Sequence, residues 1–486
     1  MSPPHLALAP RPHERLTPLE RLEVLCDPGS VRLTRTGVRS HRMGDRARPG
    51  DGVLGATGMV DGRAVACFAQ DASYAGGSLG EAHADTIVSV LELAGRARMP
   101  VVGFIESAGA RMQEGVAALS GYGRIFRAHT ALSGQVPQIS VVCGASAGGG
   151  SYAPALTDIV IMTRQASMFL TGPGVVQEVT GEDVTADELG GPRVHQANGV
   201  CHAVTDTEVD AALLARDLLD HLPQHTGTEP QRWPTVPPPE GRLDAVVPSE
   251  PRKVYDVRHA IRLLVDGGRW VEVGEKWARN VVTAFARLDG RAIGVVANQP
   301  RYIGGVLDAE SAAKAARFVR TCDAFGLPLL VLVDTPGFLP GTGQEKAGVI
   351  RHGAKLVHAF AAAAVPTVTV VTRKAFGGAF IAMNSKELGA DFVFAWPDAQ
   401  LGVMGAQQAV GIINRREIAA DPQPVRARDR LAARYAAENL AVGAAAEQGF
   451  VDEIVPPGHT RERVAAALDT LATAHRPPRP TRNIPL

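Results

Sequence analysis

The sequence repeats itself at a nearly constant offset, and this internal duplication restricts the possible folds more than any other feature. The segment DGRAVACFAQ at residues 61–70 returns as DGRAIGVVANQ at 289–299, and GGSL at 76–79 returns as GGVL at 304–307, both 228 residues later. Three further pairs lie at an offset of 228 or 229 residues: Glu106 and Asp334, Pro137 and Pro366, and Gly148 and Gly377. A chain of 486 residues is long enough for more than one core, so we predict two copies of one domain.

Predicted strands and helices alternate along the chain, which is typical of a largely parallel α/β core. In the first copy we predict a helix at residues 16–25, two strands joined by a turn at Asp61–Gly62, and a buried strand at 101–106. Another helix is predicted from Glu114 to Ala131, and the strand after it from Ile139 to Cys143. The expected fold class is therefore α/β, as two tandem copies related by duplication.

A proline-rich segment separates the two copies. Between Pro223 and Pro251 the chain contains PTVPPPEG and VVPSEP, which are typical of a linker. We therefore predict an N-terminal domain at residues 1–230, a linker at 231–250 and a C-terminal domain at 251–486. The first fifteen residues, 1–15, are rich in proline and histidine and are expected to be disordered.

Composition argues against several classes of function. Lys and Arg together number 50, as do Asp and Glu, so the overall charge does not favour nucleic acid or an anionic membrane as a partner. Five cysteines without a C-x-x-C pair argue against a zinc site or a disulfide framework and favour the reducing cytoplasm. We expect no metal and no signal peptide. We also expect no membrane span, because the longest apolar stretch, Ala359–Val371, is broken by Pro366.

Both copies contain a buried strand that leads into two successive glycines. The first copy reads PQISVVCGASAGGGSYAP at residues 137–154, and its strand is expected to end in a glycine-rich turn at Gly144–Gly150. The second copy reads PTVTVVTRKAFGGAF at residues 366–380. Successive glycines at the end of a strand leave backbone N–H groups unobstructed by side chains, an arrangement that suits stabilisation of a developing oxyanion.

Other interpretations of the first glycine turn are weaker. Gly144, Ser146 and Gly148 fit the G-x-S-x-G pattern of serine hydrolases, but the second copy has Arg373–Gly377 at this place, without a serine. A phosphate-binding loop lacks the Gly-Lys-Ser/Thr that should follow. The glycines could also serve only close packing of strand and helix. Their recurrence in both copies favours a function.

Several long motifs carry a resemblance to a known family. The first half contains GGSLGEAHA, ESAGARMQEG and LTGPGVVQEVTGEDVTADELGG. The second half contains NQP, ARFVRTCDAF, DTPGFLPGTGQE, IRHGAKL, RKAFGGAF, AWPDAQLGVMGA and the terminal RNIPL. In these motifs, from about Thr17 to Leu486, the chain resembles the carboxyltransferase (β) subunits of biotin-dependent acyl-CoA carboxylases, of the propionyl-CoA and acetyl-CoA carboxylase type.

The resemblance implies two crotonase-like (ClpP/crotonase) domains, the first binding an acyl-CoA and the second binding carboxybiotin. The carboxyl group then passes from carboxybiotin to the α-carbon of the acyl-CoA, through an enolate of the thioester. On this basis the backbone N–H groups of Gly148 and Gly149 are predicted to stabilise the enolate oxygen. Those of Gly378 and Ala379 would stabilise the ureido oxygen of biotin. One such donor is typically worth about 10²–10³ in rate.

The resemblance also implies roles for neighbouring residues. The predicted contacts of the acyl-CoA are Ala147, Gly150, Tyr152 and Ile381, and those of the biotin are Phe376 and Gly377. An apolar residue at Ile381 would either shape the pocket for a short acyl chain or pack in the core. Glu106 and Asp334 are expected to cap the turns after their strands rather than to catalyse, and His352 to be a hydrogen-bonded structural residue. Arg111 and Lys374 are candidates for contact with CoA phosphates or the carboxylate.

The same resemblance implies partners. The chain has no region large enough to charge biotin and no Met-Lys-Met biotinylation segment, so a partner would bear the biotin carboxylase and the biotin carrier. Family members place the active site between the N-domain of one subunit and the C-domain of another, commonly in a hexamer of dimers. The turn SAGGG replaces the CAGGA of many relatives, which leaves the choice between acetyl-CoA and propionyl-CoA open. A decarboxylase or transcarboxylase, or a non-catalytic assembly subunit, also remains open.

Overall fold

The computed structural model describes residues 15–250 and 253–472. This part of the chain divides into two compact units, of which the first ends at Leu219 and the second begins at Asp220. Each unit is built on an eight-stranded sheet with helices. The prediction of two copies of one α/β domain is therefore confirmed.

The first unit contains a mixed sheet, and the parallel strands of this sheet contribute to the hydrophobic core. Its strands are β1 Arg32–Thr34, β2 Val53–Val60, β3 Arg63–Gln70, β4 Val101–Ser107, β5 Gln138–Ala147, β6 Ile159–Thr163, β7 Ser167–Phe169 and β8 Ala203–Thr205. Its helices are α1 Pro18–Leu25, α2 Glu81–Ala97, α3 Val116–Leu132, α4 Gly149–Ala155, α5 Pro173–Thr180, α6 Ala186–Gly190, α7 Pro192–Asn198 and α8 Glu208–His221. The strand order is β1-β2-β3-β4-β5-β6-β8, with β7 paired to β5. Strands β1 to β3 are antiparallel, and all later pairs are parallel.

The second unit repeats this topology. Its strands are β9 Trp270–Glu272, β10 Val281–Leu288, β11 Arg291–Asn298, β12 Leu329–Thr335, β13 Thr367–Phe376, β14 Phe392–Ala395, β15 Gln400–Gly402 and β16 Glu453–Ile454. Its helices are α9 Leu243–Val246, α10 Val257–Leu264, α11 Ala309–Ala324, α12 Thr342–Lys346, α13 Val349–Ala362, α14 Gly377–Ala382, α15 Ala406–Ile413, α16 Arg415–Ala420, α17 Pro424–Tyr435, α18 Val442–Glu447 and α19 Thr460–Leu471. The strand order is β9-β10-β11-β12-β13-β14-β16, with β15 paired to β13.

The duplication extends to single backbone angles. Gly77 and Gly305 have φ angles of 72° and 76° and follow the third strand of each sheet. A Cβ added at either glycine would lie 2.5 Å from a carbonyl oxygen, that of Glu106 in the first unit and that of Asp334 in the second. Only glycine allows both this backbone angle and this close approach. The two units therefore bring the loop after the third strand onto the end of the fourth in the same way.

The central parallel strands are buried on both faces. Every residue of β4 is buried, as is every residue of its counterpart β12. Such strands appear in the sequence as continuous apolar runs, which is why VVGFIE and its counterpart could be predicted. In the first unit the ring of Phe68 packs over Gly103, where a Cβ would lie 2.4 Å from the ring. This contact joins β3 to β4 in the core formed with α2 and α3.

The predicted end of β5 is wrong. The strand was expected to stop at Cys143 before a turn at Gly144–Gly150, but it continues to Ala147, and α4 begins at Gly149. Residues 145–147 stay extended because they pair with the short strand β7. The turn between β5 and α4 is thus reduced to Gly148.

Three further predictions concern disorder at the N-terminus, the linker between the two copies, and membrane spans. The disorder predicted for residues 1–15 lies outside the described residues, except for Arg15, which pairs with Glu106. Of the segment predicted as a linker at 231–250, Leu243 and Val247 are buried in the core of the second unit. Within the described ranges, no helix combines the length and the apolar character needed to cross a membrane.

Lys314 carries a buried amine in the second unit. It lies on α11 with 3% of its surface exposed, and its Nζ donates to the carbonyl oxygens of Trp277 at 2.9 Å and Val281 at 2.7 Å. Burial lowers the pKa of the Lys314 amine to about 7. The amine therefore loses its proton at a lower pH in the folded chain than in the unfolded chain.

This shift predicts a pH dependence of stability. The unfolded chain binds more protons than the folded one between pH 7 and the ordinary lysine pKa of 10.5, so the unfolding free energy should rise with pH across this window. The expected slope is at most about 1.4 kcal/mol per pH unit, and stability is lost as the pH falls towards 7. Urea denaturation of the wild type and Lys314→Met measures it. The exposed Lys355→Met is the control, and parallel curves for wild type and Lys314→Met would contradict the prediction.

Candidate active site

The loops after β3, β4 and β5 meet at one edge of the first sheet. Leu79 and Ala110 form a parallel bridge between the first two loops, and the Leu79 N–H donates to the Gly109 carbonyl at 2.8 Å. A Cβ added at Gly109 would lie 3.5 Å from the carbonyl oxygen of Ala147, at the end of β5. This carboxyl edge of a parallel sheet is where ligands usually bind in open α/β folds.

Gly148 forms the turn between β5 and α4. Its φ angle of 56° and ψ angle of −122° are suited to glycine, and they reverse the chain direction in a single residue. Its N–H donates to the carbonyl of Phe169 at 3.0 Å. This N–H therefore belongs to the pairing of β5 with β7, and the role of Gly148 as an oxyanion donor stays a prediction. The next amide, that of Gly149, is the first in α4 and has no carbonyl acceptor within its own helix.

The second unit repeats the turn, but its predicted donors begin one residue after the turn glycine, whereas those of the first unit begin at it. Gly377 has a φ angle of 60° and corresponds to Gly148. The predicted second pair, Gly378 and Ala379, therefore corresponds to Gly149 and Gly150, and not to Gly148 and Gly149. The two predicted pairs of donors were out of register by one residue.

The remaining predicted contacts lie around these turns. Ala147 ends β5 and Phe376 ends β13, each directly before the positive-φ glycine. Tyr152 and Ile381 lie at equivalent positions in α4 and α14 and are 52% and 48% exposed. Ile381 is therefore not a core residue of the second unit, and its side chain is open to a ligand.

Tyr122 of α3 packs beneath the first turn. A Cβ added at Gly149 would lie 2.5, 2.6 and 2.7 Å from three ring carbons of Tyr122, so the ring faces this glycine directly. The hydroxyl lies 3.2 Å from Ser107 Oγ. Burial raises the pKa of the Tyr122 phenol, while Ser107 and the backbone N–H of Gly150 act on its oxygen in the opposite direction. Sequence reasoning missed Tyr122, because its only signal was an aromatic residue between two glycines in SGYG.

The serine of the G-x-S-x-G pattern is not a nucleophile. Ser146 has no exposed surface, and its Oγ has no hydrogen-bond partner in the described part of the chain. A nucleophilic serine needs a base within hydrogen-bonding distance. The structure therefore argues against the hydrolase interpretation.

Glu106, at the end of β4, forms ion pairs instead of capping a turn. Its Oε2 accepts from Arg21 at 2.8 Å, and its Oε1 pairs with Arg15 at 2.5 Å. Arg21 also donates to Glu208 at 2.7 and 3.0 Å. Burial alone would lower the pKa of Arg21, but the hydrogen bond to Glu208 and the nearby carboxylates raise it further above its usual range. Glu106 is therefore part of a buried cluster of ion pairs, which joins α1 and α8 to the sheet.

Asp334, the counterpart of Glu106, is also paired. Its carboxylate accepts from Arg373 at 2.8 Å and from Lys374 at 2.7 Å. Arg373 in turn donates to the carbonyls of Glu250 at 2.8 Å and Lys253 at 2.7 Å. Lys374, a candidate for binding phosphate or carboxylate, thus shares the Asp334 carboxylate with Arg373.

Arg111 is not a ligand-binding cation either. Its side chain has no exposed surface and donates to Asp51 at 2.7 Å and to Glu114 at 2.8 Å. A third bond, of 2.9 Å, goes to the carbonyl of Ser78 in the loop after β3. The structure therefore argues against Arg111 as a contact of CoA phosphates or the carboxylate, and instead Arg111 organises the loops at the sheet edge.

His352 lies near the start of α13. Its Nε2 lies 3.2 Å from an Nη atom of its neighbour Arg351. This contact agrees with the expected structural role of a hydrogen-bonded histidine, and it offers no carboxylate to orient the ring as a base.

Comparison with known proteins identifies the family. The model of the carboxyl transferase domain matches residues 9–484. The chain is 47% identical to the carboxyltransferase subunit of propionyl-CoA carboxylase from Haloferax mediterranei, across 97% of this chain and 94% of the relative. It is 45% identical to the β5 subunit of a biotin-dependent acetyl-/propionyl-coenzyme A carboxylase from Mycobacterium tuberculosis, across 97% of this chain and 90% of the relative.

A solved structure gives the same answer for the fold. The crystal structure of transcarboxylase 12S, a hexamer with methylmalonyl-coenzyme A and methylmalonic acid bound, is similar with a TM-score of 0.92 and 45% identity. The likeness covers 97% of this chain and 92% of that one. The fold is thus the tandem crotonase-like arrangement that the motifs implied, and the chain belongs to the carboxyl transferase family, together with the β subunits of propionyl-CoA and acetyl-CoA carboxylases.

Proposed function

We propose that the chain is the carboxyltransferase subunit of a biotin-dependent acyl-CoA carboxylase. It transfers the carboxyl group of carboxybiotin, carried by a partner protein, to the α-carbon of propionyl-CoA or acetyl-CoA. The observation that carries this proposal is the duplicated glycine turn, in which Gly148 and Gly377 share one unusual backbone angle in a chain of this family. Two similar oxyanion sites suit a reaction in which the acceptor and the donor each develop negative charge on an oxygen.

The first turn acts on the acyl-CoA. The Gly149 N–H points out of the start of α4 and donates to the thioester oxygen as negative charge builds on it during enolate formation. Because this donor is part of the backbone, it needs no reorganisation when the charge appears. The ion-paired state of Glu106 fits a mechanism in which this carboxylate is not the base.

The second turn acts on the carboxyl donor. Carboxybiotin supplies the carboxyl group when the carrier presents it to the chain. The N–H groups of Gly378 and Ala379, in the first turn of α14, donate to the ureido oxygen. Phe376 and Gly377 line the approach, and the half-exposed Ile381 limits the space for the acyl chain.

A reconstituted assay tests this function. The protein is combined with biotin carboxylase and carrier subunits, ATP and bicarbonate, and offered acetyl-, propionyl- and butyryl-CoA. We expect carboxylation of one or both of the shorter thioesters. Turnover of none, with several carrier subunits, would contradict the proposal and favour an assembly role.

A transcarboxylase is the second candidate, because the 12S subunit is 45% identical across nearly the whole chain. The two functions differ in the source of the carboxyl group. A transcarboxylase subunit would load a biotin carrier from methylmalonyl-CoA without ATP and would give little ATP-dependent carboxylation with any biotin carboxylase partner. The same two reactions, run side by side, separate the candidates.

We propose that the chain works in the cytoplasm, as a hexamer bound to a biotin-carrying partner. The five cysteines are all buried and free, which suits a reducing compartment. The hexamer formed by transcarboxylase 12S supports the assembly. The turn before α3 and the start of that helix support it further, because the three apolar residues Met112, Val116 and Leu119, here called the apolar row, are 89%, 80% and 60% accessible.

The apolar row predicts a sensitive site for self-association. Val116→Asp should shift the protein towards smaller species, because a buried charge in an interface costs several kcal/mol unless it is paired. Sedimentation velocity of the purified variant measures this shift. Thr130→Asp, an exposed position at the other end of the same helix, should leave the assembly intact. An unchanged hexamer in Val116→Asp would exclude this face from the interface.

A further inference from the structure

The two units support their glycine turns with aromatic rings from different places. In the first unit the ring is Tyr122 of α3, which faces Gly149. In the second unit it is Phe338, from the loop after β12, whose ring atoms would lie 3.4 Å from a Cβ at Gly353 and 3.9 Å from a Cβ at Gly378.

The small residues around the two turns differ in a matching way. Phe338 bridges to Leu307, as Ala110 bridges to Leu79, so Ala110 stands where the second unit has its aromatic ring. The crossover helix of the second unit presents Gly353 towards that ring. The aromatic residue and the small residue have thus changed places between the units, and the packing beneath each turn is kept.

The two rings differ in chemistry, because Tyr122 carries a hydroxyl and Phe338 does not. That hydroxyl lies 3.2 Å from Ser107 Oγ and would be 3.5 Å from a Cβ at Gly150. Ser107 Oγ also accepts from the Gly109 N–H at 3.3 Å. A short polar chain therefore runs beneath the first turn, from the loop after β4 to the backbone of Gly150.

We propose that Tyr122 is a positioning residue of the first glycine turn. Its ring fixes the position of the backbone at Gly149. Its hydroxyl, oriented by Ser107, holds the Gly150 amide inward, so that the Gly149 amide is presented to the substrate. This inference rests on the proposed function of the turn as the oxyanion site for the thioester.

The variant Tyr122→Phe tests this role, because it removes the hydroxyl and keeps the ring. We expect kcat for carboxylation to fall about tenfold with KM for the acyl-CoA within about twofold, since a misaimed donor is felt mainly in the transition state. The melting temperature should stay close to that of the wild type. Affinity for a CoA thioether bearing an ionised nitronate, a mimic of the enolate, should fall by the same factor as kcat. Affinity for a neutral CoA thioether should not change.

Tyr74→Phe is the matched control. Tyr74 is also a buried tyrosine of the first unit, but its hydroxyl donates to the backbone carbonyl of Arg46 at 3.1 Å. This variant should keep the wild-type kcat and nitronate affinity. Equal losses in both variants, or a loss of kcat in Tyr122→Phe that follows a lowered melting temperature with unchanged nitronate affinity, would overturn the positioning role.

The outcomes also separate this inference from the proposed function. A wild-type enzyme that carboxylates no thioester contradicts the function itself. An active wild type with a fully active Tyr122→Phe contradicts the positioning role alone. The affinity for the nitronate depends on the backbone donors of the first turn and not on carboxylation. It therefore tests the role of Tyr122 without a carrier partner.

Discussion

Replacing Gly149 by alanine should reduce kcat/KM for carboxylation by about 10²–10³, the range found for loss of one oxyanion donor. The added Cβ would lie 2.5 Å from Tyr122 Cγ, far inside van der Waals contact. The obstacle is the body of a buried ring, 5% exposed, and not the end of a flexible side chain. The turn must therefore move, and the Gly149 N–H moves with it. The reconstituted assay measures the rate, and a thermal melt measures the accompanying strain, about 1–3 kcal/mol for overpacking.

Two other glycine-to-alanine variants make this test specific. A Cβ at Gly123, on the open side of α3, would meet no atom within 4 Å, so Gly123→Ala should keep both activity and stability. A Cβ at Gly378, the counterpart of Gly149, would lie 3.9 Å from Phe338, an ordinary contact. Gly378→Ala should therefore keep the wild-type melting temperature. If Gly149→Ala is as active and stable as Gly123→Ala, the geometry proposed for the first turn is wrong.

Arg111→Met should destabilise the first unit by about 3–5 kcal/mol, because it leaves buried carboxylates without their cation. Asp51 has no exposed surface and Glu114 is 4% exposed. Burial raises the pKa of Asp51 even with Arg111 present, and the bond to Arg111 opposes that rise. Without the arginine the pKa of Asp51 should rise further. A thermal melt should show a fall of roughly 10 °C in the transition of this unit.

The pH dependence of the Arg111→Met defect provides an internal check. A carboxyl whose pKa is raised in the folded state stabilises the fold most when it is protonated, so the deficit should shrink as the pH is lowered through that pKa. Arg42→Met is the matched control, because its pair with Glu81 spans 3.3 Å at the surface and should contribute less than about 1 kcal/mol. A deficit for Arg111→Met no larger than that of Arg42→Met would contradict the assigned role of the buried cluster.

The strands and the duplication were predictable because parallel strands buried on both faces leave long apolar runs. The end of β5 was not predictable in the same way. Its last residues, 145–147, are small and suggest a turn, but they stay extended because β7 pairs with them. That partner strand has three residues, Ser167–Phe169, too few for a periodic pattern to mark it.

Charged residues near the turns were the least predictable part of the site. Arg111 and Lys374 lie within the family motifs ESAGARMQEG and RKAFGGAF and were candidates for contact with the substrate, because cationic side chains are the usual ligands of phosphate and carboxylate. Each instead pairs with a carboxylate, Arg111 with Asp51 and Lys374 with Asp334, from a different part of the chain. Burial of a charge is decided by such distant partners, and no local pattern reports them.

By itself, the sequence determined the α/β class, the duplication, the family and the two glycine pairs, because each of these can be recognised from stretches of consecutive residues. The tertiary structure alone decided which backbone amides remain for a ligand. The Gly148 N–H donates to the carbonyl of Phe169, from a later strand. Gly149 lies directly against the ring of Tyr122, from an earlier helix. A hydrogen-bond donor is free or engaged according to what packs against it, and that packing exists only when the chain is folded.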